Sequence, residues 1–167
     1  MQNKEIIYNK ENDCTMESFI RGYKVFLDSA KTERETISVA VDMAIAAGFV
    51  DMDSVDQLKP GDRAFKVIMK KSMVLFKVGE ANGETGLNIL GAHVDSTRID
   101  LKAKPLYEDS GFAYFDTHYY GFIKKYQWLT IPLAIHGVVI SSDGLVHDVV
   151  IGESEEDPVF AITDLLP

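Results

Sequence analysis

Cysteine is almost missing: Cys14 is the only one in 167 residues. One thiol can form neither a disulfide framework nor a thiolate zinc cage within the chain. Long apolar runs are missing too. No stretch approaches the ~18 residues that a membrane-spanning helix needs, so no membrane partner is expected. Positive charge is short, with 17 Lys and Arg against 26 Asp and Glu and a net charge of -9. Nucleic-acid affinity rests on a basic surplus that neutralises phosphates, so nucleic acid is excluded as a partner. Met1 to Asn12 are polar and charged, without the apolar stretch of a secretory signal peptide. These lacks together predict a protein of the reducing cytoplasm. Also missing are a Gly-x-Ser-x-Gly elbow, a phosphate-binding glycine loop, internal repeats and low-complexity tracts.

What is present reads as globular. Hydrophobic residues make up 46% of the chain and aromatics 10%, too many for a disordered segment. The length suits one domain, or one domain and part of another. The first third is helical in pattern. Phe19, Ile20, Tyr23, Phe26, Leu27 and Ala30 recur at spacings of three and four, after a cap at Thr15 or Asp13. Thr32-Glu33-Arg34-Glu35 has capping-box spacing and begins a second helix, with Ile37, Val41, Ala44 and Ile45 as its buried stripe. Gly48 is its stop.

The middle third is extended. After a turn at Pro60-Gly61-Asp62, Phe65, Val67 and Met69 alternate with Lys66 and Lys70 as a half-exposed strand. A turn at Lys71-Ser72 leads to a second strand, Met73 to Val78, and Asn82-Gly83 marks another turn. Leu87 to Val94 is short and apolar, which predicts a strand buried on both faces. The last third is β-rich: Phe112 to His118 after Ser110-Gly111, an edge strand Trp128 to Ile135 containing Pro132, and a hairpin around Ser142-Asp143-Gly144. Glu153 to Asp157 is an acidic loop. Thr163-Asp164 has the look of a helix cap, from which a piece of a longer protein is expected.

Chemistry concentrates at His93-Val94-Asp95. It falls at the carboxyl end of an apolar run, the end of a strand where open α/β sheets bind ligands. Extended residues two apart face one side. Asp95 can therefore hold one ring nitrogen of His93 and leave the other for a metal. A histidine merely satisfied by a neighbouring aspartate is the other reading of so short a pattern. Of the other histidines, His118 reads as part of an aromatic sheet surface, His136 as packed or hydrogen-bonded, and His147 as exposed. Lys124-Lys125-Tyr126 with Trp128 is basic and aromatic, yet two lysines make a poor phosphate track in so acidic a chain. Cys14 has no histidine near it in sequence and reads as a plain thiol.

The triplet belongs to a longer pattern. Gly91-Ala92-His93-Val94-Asp95-Ser96-Thr97-Arg98-Ile99-Asp100 runs on through Thr117-His118-Tyr119-Tyr120-Gly121 and Lys124-Lys125-Tyr126-Gln127-Trp128 to Ile131-Pro132-Leu133-Ala134-Ile135-His136-Gly137. This stretch resembles the M18 metalloaminopeptidases, the aspartyl-aminopeptidase-like group, and in particular their bacterial branch. The resemblance is strongest from about Leu87 to Val139. It implies an α/β fold: the amino-terminal part of a zinc-peptidase catalytic domain over residues 1–98, then the start of an inserted β-rich dimerisation domain over 99–167. It implies removal of amino-terminal residues from peptides through a metal-bound water in a two-zinc site. His93 would be a zinc ligand, and Asp95 the catalytic aspartate that orients it. The partners implied are a peptide substrate and further copies of the chain, in a homo-oligomer. Thr97 stands where many members have proline, and Phe122 where many have a second glycine. The family's bridging aspartate, general-base glutamate and other metal ligands have no counterpart in these 167 residues. A non-catalytic oligomerisation or binding module derived from the family is the alternative expectation.

Overall fold

A computed structural model describes residues 10–80 and 86–163. The chain divides into two compact units, Met1–Val94 and Asp95–Pro167.

The first unit begins with helix α1, Lys10–Ser29. Thr15 and Asp13 lie within it rather than capping it, because the backbone is already helical from Lys10. Of the expected stripe, Phe26 is half-buried, whereas Phe19, Ile20, Tyr23 and Leu27 are exposed. Helix α2, Glu33–Ala46, starts with the predicted capping box. Thr32 Oγ1 accepts from the Glu35 amide at 3.3 Å, and the Thr32 amide donates to Glu35 Oε2 at 2.9 Å. Ile37 and Ala44 are buried, Val41 is half-buried, and Ile45 is exposed. Gly48 follows at φ +80, with its amide on the Ile45 carbonyl at 2.9 Å.

Among the described residues of this unit three strands lie in the order β1-β2-β3: β1 (Val50–Asp51), β2 (Arg63–Ile68) and β3 (Ser72–Lys77). β1 runs parallel to β2, and β3 antiparallel. The β2–β3 turn sits at Met69-Lys70, earlier than Lys71-Ser72. Both residues take positive φ, and the Lys71 amide closes on the Ile68 carbonyl at 3.1 Å. Such turns match the twist of a hairpin, but Met and Lys carry no turn signal. The core is small. Ile37 and Ala44 of α2 and Ala64 and Phe65 of β2 are the buried hydrophobic residues among those described.

The expected strand Leu87 to Val94 is absent: residues 86–94 carry no regular structure, and Leu87, Ile89 and Leu90 are exposed. A strand buried on both faces needs ladder partners on its sides and covering layers above and below. Among the described residues no strand pairs with it. The Asn82-Gly83 turn lies outside the described residues.

The second unit holds two antiparallel hairpins. β4 (Arg98–Asp109) pairs with β5 (Phe112–Tyr120) across the Ser110-Gly111 turn. β4 is not among the expected strands. Its register shifts between Leu101 and Leu106, where Lys104 has φ +56 and Pro105 has no amide to give a ladder. β6 (Ile135–Ile140) pairs with β7 (Val146–Ile151) across the predicted Ser142-Asp143-Gly144 turn. Trp128 to Ile135 is not the expected edge strand. It makes single bridges, Leu129 with Ile162 and Leu133 with Phe160, on either side of Pro132. The Asp164 half of the Thr163-Asp164 cap lies outside the described residues.

Candidate functional site

His93 and Asp95 stand at the end of the first unit and the start of the second, on a segment without regular structure. His93 is exposed and Asp95 half-buried, and neither is without an interaction partner. Helix α2 approaches this end of the first unit. The buried Thr36 donates its hydroxyl to the Thr32 carbonyl at 2.9 Å and lies 3.5 Å from the Val94 carbonyl. The residue after the capping-box glutamate thus places a hydroxyl beside the residue after His93.

Zinc coordination calls for several donors, usually four in tetrahedral array. Among the described residues no three His, Cys, Asp or Glu side chains gather into a metal-holding group. The described residues therefore do not by themselves complete a zinc centre. A cleft of about 350 Å³ at the end of α2, lined by Gly48, Val50, Leu58 and Arg63, includes neither His93 nor Asp95. Arg63 Nη1 there donates to the Ala47 carbonyl at 2.9 Å.

The remaining histidines have local partners in the second unit. His118, on β5, lies opposite Asp100 of β4, with Nε2 3.9 Å from Asp100 Oδ2. His136 is largely buried, and its Nε2 lies 2.9 Å from Glu153 Oε1. His147 is exposed, with Nε2 3.2 Å from Ser141 Oγ in the β6–β7 turn. In the acidic loop, Asp157 accepts from the amides of Gly152 at 3.0 Å and Ser154 at 3.2 Å. These bonds favour the ionised form and hold its pKa below the ordinary aspartate value.

Arg98 is not among the expected site residues. Its Nε donates to Asp100 Oδ1 at 2.7 Å, and its guanidinium carbon stands 4.0 Å from the centre of the Tyr120 ring. Register pairs Arg98 directly with Tyr120. The i, i+2 spacing of Arg98 and Asp100 was a usable signal, since strand residues two apart share a face. Nearby, Lys125 Nζ lies 5.3 Å from the Tyr119 ring. A Cβ on Gly121, at φ +78, would come within 3.2 Å of Thr97 Cγ2, so Thr97 and Gly121 are closely apposed. Phe122 is fully exposed.

The family model described as Aminopeptidase I zinc metalloprotease (M18) matches residues 26–167. A probable M18 family aminopeptidase 1 from Clostridium acetobutylicum is 44% identical over 148 residues, covering 86% of this chain and 32% of that protein. The crystal structure of aminopeptidase I from Borrelia burgdorferi superposes with a TM-score of 0.92 at 40% identity, over 98% of this chain and 41% of that one. The M18 aminopeptidase from Thermotoga maritima gives 0.89 at 41% identity, over 100% and 37%. The chain belongs to the M18 family of zinc metalloproteases, and its mixed helix and sheet fold is that of M18 aminopeptidase structures. It spans about a third of the length of the curated relatives it matches.

Proposed function

We propose that this chain is the amino-terminal portion of a zinc-dependent aminopeptidase that removes amino-terminal residues from peptides. The observation that carries the reading is His93-Val94-Asp95, within the 26–167 stretch that the M18 model matches. In this reading residues 1–98 are part of the catalytic domain and 99–167 begin an inserted β-rich dimerisation domain. His93 gives zinc one imidazole nitrogen, and Asp95 fixes the tautomer and orientation of that ring. Bound zinc supplies Lewis-acid polarisation of the scissile carbonyl. The Thr36 hydroxyl lies 3.5 Å from the Val94 carbonyl, beside the residue after His93.

Homo-oligomerisation is part of the reading. The second unit exposes Leu106, Tyr107, Phe112 and Tyr119 on a two-stranded hairpin, more apolar surface than a solitary hairpin leaves open without cost. The setting proposed is the cytoplasm, on the single cysteine in 167 residues. Among the described residues no helix is long and apolar enough to cross a membrane.

His93→Ala in the full-length enzyme tests the site. Zinc content should fall and hydrolysis of aminoacyl substrates should be lost, while the circular dichroism stays that of the wild type. Full activity with unchanged zinc would overturn the assignment. The second reading, a non-catalytic module, draws on the lack of any metal-holding group among the described residues. Full-length protein that neither binds zinc nor hydrolyses peptides would favour it.

A further inference from the structure

We draw no further inference here: the strongest candidate, the apolar face of helix α1 formed by Phe19, Ile20, Tyr23 and Leu27, is an exposed surface, and nothing in the structure shows what covers it.

Discussion

Thr32 satisfies two needs with three heavy atoms of side chain. Its hydroxyl takes the Glu35 amide, and its own amide is taken by Glu35 in return. Thr32→Ala removes one half of that exchange and should cost about 1 kcal/mol, read as a lower denaturant midpoint with an unchanged slope. Asp95 belongs to the same scale. If it orients the His93 ring, Asp95→Asn in the full-length enzyme should weaken zinc affinity or kcat/KM about 10–100-fold, less than the loss on replacing His93. Zinc titration and steady-state kinetics measure both, and an unchanged variant would remove Asp95 from the site. Asp157 makes a prediction in pH. Its folded pKa is depressed by the Gly152 and Ser154 amides, so the stabilisation it gives is present above the unfolded aspartate value. That stabilisation is lost as pH falls through the lower folded value. The amide proton shifts of Gly152 and Ser154 in NMR spectra should titrate together, with a midpoint below that of a free aspartate. A midpoint at or above the ordinary value would mean that the two bonds do not persist in solution.

At the scale of elements, the loop after β7 depends on one glycine. Gly152 has φ +102, and a Cβ there would stand 3.1 Å from Ala134 Cα and 3.2 Å from its Cβ. Gly152→Ala therefore meets both backbone strain and a close neighbour, and neither contact is the tip of a flexible side chain. We expect a loss of about 1–3 kcal/mol, with the 152–157 amides exchanging faster than those of β6. Elements also divide by how openly they were written in sequence. The α2 start was legible because a capping box is a local exchange between residues three apart. The β6–β7 turn was legible because Ser-Asp-Gly favours that backbone whatever surrounds it. The β2–β3 turn was not, since Met69 and Lys70 take positive φ only because the paired strands on either side hold them there. β4 was obscured by Pro105, which reads as a breaker until β5 supplies a partner that tolerates a register shift.

The described residues bury little apolar surface. Four hydrophobic residues among those described are buried, and many large ones, Leu87, Ile89 and Leu90 with them, face solvent. A net charge of -9 opposes association, but exposed charges are screened beyond ~8 Å at physiological salt. Short-range apolar contact should then win. Light scattering on the 167-residue chain at micromolar concentration should show self-association that grows with salt. A monomer across the whole salt range would mean that the apolar surface is covered in solution. The same chain should hydrolyse no aminoacyl substrate on its own, because a two-metal site needs several donors and no three gather among the described residues. Turnover by the purified chain, free of host peptidases, would contradict this.

Sequence by itself determined what depends on neighbours along the chain or on a long matched pattern. The α2 cap, the Gly48 stop and the turns at Ser110-Gly111 and Ser142-Asp143-Gly144 are local chemistry, set by residues a few positions apart. Membership of the M18 family was legible because the residues from Leu87 to Val139 match as a run, far beyond what a triplet can carry. Tertiary structure decided whatever needs a distant partner. Leu87 to Val94 has the composition of a buried strand, yet a strand exists only where other strands take its amides and carbonyls, and among the described residues none does. Arg98, Asp100 and Tyr120 come together only because the pairing of β4 with β5 sets Arg98 opposite Tyr120. A register between strands is a relation across the fold, and no spacing within one segment encodes it.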